Sequence, residues 1–121
     1  MMNSTYKLDF GSGSALTTSR SRLAGLQIGW QPKESTGSDA MLINDFDFDE
    51  MKIQFKNGSS SGDVLFGMCP PLGVSQSLGC IPYLYNFGNA RILFSDGIYA
   101  EAVTGSAQAV PANLMIVIFY E

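Results

Sequence analysis

Apolar residues in this chain recur at every second position in short stretches, and glycine cuts each stretch before it is long enough to wind into a helix. Met51-Lys52-Ile53-Gln54-Phe55-Lys56 sets Met, Ile and Phe on one side and Lys, Gln and Lys on the other, because successive side chains of an extended chain point to opposite faces. Such a strand is half buried and has a solvated outer face. Asn57-Gly58 ends it with a strong reversal signal. Val64-Leu65-Phe66 follows, so residues 50–67 read as a hairpin whose loop is lengthened by Ser59-Ser60-Ser61-Gly62. Leu26, Ile28 and Trp30 form a second alternating set, and residues 40–43 a short apolar strand. Residues 81–87 are aromatic-rich and interrupted by Pro82, which suits an edge strand. Residues 91–94 and 98–103 flank Ser95-Asp96-Gly97 and read as a second hairpin. No long window carries apolar residues at i, i+3, i+4 and i+7, whereas 13 glycines punctuate the chain. The expectation is an all-β fold: an antiparallel β-sandwich, jelly-roll-like, of about eight strands.

No internal repeat or domain boundary interrupts the pattern. Residues 1–19, rich in Ser, Thr and Gly, read as a flexible or extended N-terminal arm or a loosely packed first strand, and residues 20–121 as one sandwich domain. A length of 121 residues suffices for one core. Hydrophobic residues make up 45% and charged residues 15%, against about a quarter charged in ordinary soluble domains. The surface is therefore covered by uncharged polar residues and glycine, or in part by another chain. The net charge of −4 and pI near 4.6 repel a phosphate backbone. Arg20 and Arg22 are the only closely spaced basic pair, so no nucleic-acid partner is expected. No stretch reaches the ~18 apolar residues of a membrane helix. Residues 1–10 have no apolar signal-peptide core, so the expected place of synthesis is the cytoplasm.

Histidine is absent, which removes every mechanism that needs an imidazole base. Carboxylates cluster in Asn44-Asp45-Phe46-Asp47-Phe48-Asp49-Glu50. In a strand Asp45, Asp47 and Asp49 share a face opposite Phe46 and Phe48, and three hard oxygen ligands suit Ca²⁺. Three like charges on one face also repel, and the run is not an EF-hand loop, so a solvated face is the simpler reading. Gly11-Ser12-Gly13 and the glycines at 58 and 62 match neither a P-loop nor a dinucleotide fingerprint. Tyr83, Tyr85 and Phe87 at period two fit a core stripe better than a sugar-stacking platform. The expectation is no enzyme, no cofactor and no metal.

The second half carries a familiar pattern: Ile53-Gln54-Phe55-Lys56-Asn57-Gly58 with its Ser-rich loop and Gly62-Asp63-Val64-Leu65, then Arg91-Ile92-Leu93-Phe94-Ser95-Asp96-Gly97-Ile98-Tyr99-Ala100-Glu101, then Ile116-Val117-Ile118-Phe119-Tyr120-Glu121. It resembles small virion structural proteins of tailed bacteriophages, with their "KDG"-like turn, "GI(R)FxxGLYV" hairpin and closing "VTVFY" strand. The resemblance covers roughly residues 50–121, with a weaker echo at 21–30. The Cys69-to-Cys80 segment and the acidic 45–50 run depart from it. It implies a capsid decoration or cement module, with the major capsid protein or another virion protein as partner and the virion as location. The alternative is a carbohydrate- or receptor-binding module of a tail or neck assembly. The family brings no catalytic residues.

Residues 114–120 are apolar on both faces, which marks a central strand or one whose second face meets a partner. A two-layer sandwich has one core, so one face lies outside it unless a loop or the N-terminal arm covers it. Met115, Val117 and Phe119 are the expected interface of a homo-oligomer, with a trimer the expected symmetry. Cys69 and Cys80 are too few for a disulfide framework, and without histidine too few for a zinc site. They read as two buried thiols. Intact mass of the native protein under non-reducing conditions is expected to show both thiols reduced; loss of two hydrogens would contradict this.

Overall fold

The computed structural model describes residues 2–8, 13–30, 51–68, 83–104 and 114–121. Among them there are nine strands and no helix: β1 (Asn3–Leu8), β2 (Ser14–Ala15), β3 (Ser21–Trp30), β4 (Met51–Asn57), β5 (Val64–Met68), β6 (Tyr83–Asn86), β7 (Ile92–Phe94), β8 (Ile98–Thr104) and β9 (Leu114–Tyr120). They form two antiparallel sheets. The larger runs β1-β9-β3-β6, with β7 also on β3, and the smaller runs β2-β8-β4-β5. This is the expected all-β sandwich, with nine strands where about eight were expected. The region read as an arm supplies two of them. β1 pairs with β9 from Asn3↔Tyr120 to Leu8↔Met115, and β2 pairs with β8. Residues 40–43 lie outside the described residues.

The core is the layer between the sheets. Leu23, Leu26, Ile28, Phe94, Ile116 and Ile118 enter it from the larger sheet, and Ile53, Phe55, Ile98, Ala100 and Ala102 from the smaller. Ile53 and Phe55 are fully buried while Lys52 lies exposed between sheet and water, so the alternation read from residues 51–56 sets the register of β4. In β3 the register shifts between Leu23 and Gly25, making Ala24 the extra residue of a β-bulge. The bulge reverses the alternation, and Leu23 and Leu26, three apart, share the core face.

Residues 91–103 are not a hairpin. β7 pairs with β3 in the larger sheet, whereas β8 pairs with β2 and β4 in the smaller. The Ser95-Asp96-Gly97 turn is a crossover between the sheets, with Phe94 and Ile98 buried at its two ends. A short turn built from such residues suits either connection, and burial of both flanking side chains selects the crossover. Gly97 sits at φ 110°, and a Cβ there would lie 2.5 Å from the Thr17 carbonyl oxygen, so only glycine fits without strain.

Thr17 holds this crossover from the β2–β3 link. The Ile98 N–H donates to Thr17 Oγ1 at 2.9 Å in a buried contact. The Leu16 and Thr17 N–H groups donate to the Ile98 carbonyl at 2.8 and 3.2 Å. The β4–β5 turn is tied to the same place. The Asp96 N–H donates to Asn57 Oδ1 at 2.9 Å and the Gly58 N–H donates to the Gly97 carbonyl at 2.8 Å. Thr17→Val keeps the shape and leaves the buried Ile98 N–H without its acceptor. Denaturant unfolding is expected to show a loss of about 1–3 kcal/mol, against about 0.5 kcal/mol or less for exposed Thr18→Val.

Candidate functional site

The two outer faces of the sandwich differ in chemistry. On the smaller sheet the central strands present Lys52, Gln54, Lys56 and Glu101 together with Tyr99 and Val103, and Lys56 is paired to Glu101. That face is solvated, as its alternation predicts. On the larger sheet, directly paired residues share a face, so Tyr6 stands beside Val117, and Ser4 beside Phe119, on the side away from the core. Gly25 lies opposite Phe119 and Asn86, and Gln27 opposite Val117 and Leu84. Met115, Val117 and Phe119 are half-buried here, while Ile116 and Ile118 are fully buried in the core. Tyr6 and Leu84 are each 64% exposed and Met2 is 48% exposed. Half of a central apolar strand and its flanking aromatic and aliphatic groups thus face away from the core.

A groove of about 280 Å³ crosses this face, lined by Met2, Ala24, Gly25, Leu84, Tyr85, Asn86 and Phe119. It exists because position 25 has no side chain: a Cβ there would sit 2.8 Å from the Tyr85 carbonyl oxygen. The lining is apolar, and such a lining on a sheet face fits a packed partner better than a polar small molecule.

One end of the same face is cationic. The bulge at Ala24 that turns Leu23 inward leaves Arg22 outward, opposite exposed Leu93. The Arg22 N–H donates to the Glu121 carbonyl at 2.8 Å, and the Glu121 N–H to the Arg22 carbonyl at 2.9 Å. The Glu121 carboxylate pairs with Arg91, and Arg20 completes the rim. The hydrogen bond from Arg91, with the Arg91 charge next, holds the Glu121 carboxyl below its ordinary 4.5. Spacing alone shows Arg20 and Arg22; Arg91 joins them only through the β3–β7 pairing.

The aromatic residues expected as a core stripe lie at the margin of the core, with Tyr85 exposed and Phe87 half-buried. Phe87 lies edge-on to Phe66 at 5.0 Å and to Tyr85 at 4.8 Å, and Phe66 packs on buried Phe55 at 5.8 Å. These rings close one edge of the sandwich. The side chains of Tyr83 and Trp30, and all of Asp45, Asp47, Asp49, Cys69 and Cys80, lie outside the described residues. Among the described residues no group of three or more metal-ligating side chains converges, and no helix is long and apolar enough to cross a membrane. The chain matches no protein-family model, no curated protein and no solved structure.

A carboxylate whose folded pKa is depressed contributes stability above its unfolded value and loses it as pH falls through the folded value. The Glu121–Arg91 pair is therefore expected to act above about pH 4.5 and to fade below it, with a small effect on stability because Glu121 is solvated. Carboxyl NMR titration is expected to place the Glu121 midpoint below 4.5, and Arg91→Gln to move it upward.

Proposed function

We propose that this chain is a structural module that works by packing the outer face of its larger sheet against other protein surfaces, and that its setting is the phage virion, where it decorates or cements a capsid. The observation that carries the assembly reading is the apolar outer face of β9. Met115, Val117 and Phe119 continue into Tyr6, Leu84 and Met2, while the opposite sheet interrupts its apolar Val64, Tyr99 and Val103 with Lys52, Gln54, Lys56 and Glu101. Fully burying an exposed large apolar side chain gains roughly 1.5–3 kcal/mol and the half-buried Met115, Val117 and Phe119 a part of that, so several copies of the patch together favour a small ring, with a trimer the natural arrangement. The virion setting and a jelly-roll-like wiring rest on the resemblance of residues 50–121 to small phage structural proteins. In this reading the work is done by burial and not by chemistry, in keeping with the absence of histidine.

Light scattering coupled to size exclusion is expected to find the wild type as an oligomer at micromolar concentration. Val117→Lys puts a charge in the middle of the face and is expected to shift it to monomer without altering the circular dichroism of the strands. A wild type that stays monomeric and fails to bind capsid shells would count against the assembly reading. An oligomer that survives Val117→Lys would count against this face.

A further inference from the structure

Three of the chain's seven basic residues meet at one end of the larger sheet. Arg20, Arg22 and Leu93 line a depression of about 160 Å³, and Arg22, Asn89, Arg91 and Leu93 a wider one of about 620 Å³ beside it; Glu121 belongs to both. Glu121 is paired with Arg91. Among the described residues neither Arg20 nor Arg22 has an ion-pair partner. In a chain of net charge −4, the described side chains here, three arginines against Glu121, carry a local excess of two positive charges. Arg22 is held in place by two backbone hydrogen bonds to Glu121 and by its register with Leu93.

We infer that Arg20 and Arg22, with Asn89 and Arg91 beside them, form a binding site for the carboxylates of an acidic, apolar-flanked segment of a protein partner. Guanidinium groups match carboxylates through paired, charge-assisted hydrogen bonds, and Glu121 on Arg91 shows one carboxylate already seated in this end of the sheet. The floor between the arginines is Leu93, 41% exposed, and the apolar groove over Gly25 and Phe119 opens on the same face. A segment that alternates acidic and apolar side chains meets both surfaces. A nucleic-acid strand does not: it needs an extended basic track, and the remainder of this acidic chain repels it. The bulge makes the site, since a regular strand running through Ala24 in phase with Leu26 and Ile28 would send Arg22 toward the core and Leu23 to the surface. The inference goes beyond the packing of the apolar face and stands without it.

The test is NMR on the full chain, following the arginine Nε–Hε signals and the backbone amides of residues 20–22 and 89–93. The probe is a capped peptide of alternating glutamate and leucine. Saturable shifts at these positions are expected with this peptide and not with its glutamine–leucine counterpart. The Arg20→Gln/Arg22→Gln pair is expected to weaken binding about tenfold or more, Lys52→Gln on the opposite sheet to leave it unchanged, and Glu121→Gln to strengthen it by releasing Arg91. Amide spectra and thermal unfolding confirm that each variant is folded, and light scattering on the double variant reads the oligomeric state separately. Absence of saturable shifts, binding retained in the double variant, or tighter binding of an oligothymidylate at the same residues would each overturn the assignment.

Discussion

The sandwich depends on β9 lying between β1 and β3. Residues 114–120 supply Ile116 and Ile118 to the core and hydrogen-bond on one side to residues 3–8 and on the other to residues 23–30. Both ladders join segments far apart in sequence, so the larger sheet closes only when distant parts of the chain are together. The loop-closure entropy of those pairings must be met before their hydrogen bonds form. The smaller sheet is more local, with β4 and β5 joined by one turn, but its β8 reaches β7 only through the crossover at Gly97. Thr17 and Asn57 grip that crossover from two directions. Their hydrogen bonds fix how the two sheets sit on each other, a relation that apolar packing alone leaves loosely defined.

Where the alternation is unbroken, sequence and structure agree. Residues 53–55 and 26–28 place their apolar members in the core as period two requires, and the double-sided apolar run at 114–120 is central in its sheet. Two features resist reading from sequence. The bulge at Ala24 breaks the phase of β3, and nothing in Arg22-Leu23-Ala24-Gly25 says which residue is the extra one. The choice is made by burial of Leu23 between its cross-strand neighbours Tyr120 and Ile92 and by the close passage of the Tyr85 carbonyl by Gly25. The Ser95-Asp96-Gly97 turn is equally mute. Its residues specify a tight reversal and a positive φ, whereas the partner of each flanking strand is set by tertiary pairing with β3 and β4. The outer apolar face was legible because an excess of apolar residues on one strand is a local property. The arginine cluster was not, because Arg91 reaches Arg22 only after β7 has paired with β3.

The low charge content and its uneven placement are two sides of one design. A sandwich of this size needs one apolar layer, and the chain places further apolar residues on the outside of the larger sheet, whereas the smaller sheet's outer face mixes Lys52, Gln54, Lys56 and Glu101 with Val64, Tyr99 and Val103. Several of the edge strands are short. β2 is only two residues long, and β6 covers part of one edge of β3 while β7 covers the rest. Exposed edges invite indefinite pairing, whereas an apolar sheet face favours association face to face, which a closed ring can satisfy.

Apolar burial and charge contribute differently to such a surface. Burial is non-directional: Val117, Phe119 and Leu84 gain much the same from any partner that excludes water. Charge discriminates, because an unpaired guanidinium covered by the wrong partner loses its hydration without return. Placing Arg20 and Arg22 at one end of the apolar face, with Arg91 already satisfied by Glu121, gives the face a polarity along β3. A partner can bury the apolar middle in either direction, but only one direction brings its carboxylates to the arginines. The bulge at Ala24 links the two contributions. The same extra residue that seats Leu23 in the core turns Arg22 outward, so a packing requirement of the sandwich and an orienting charge on its surface are met by one irregularity in one strand.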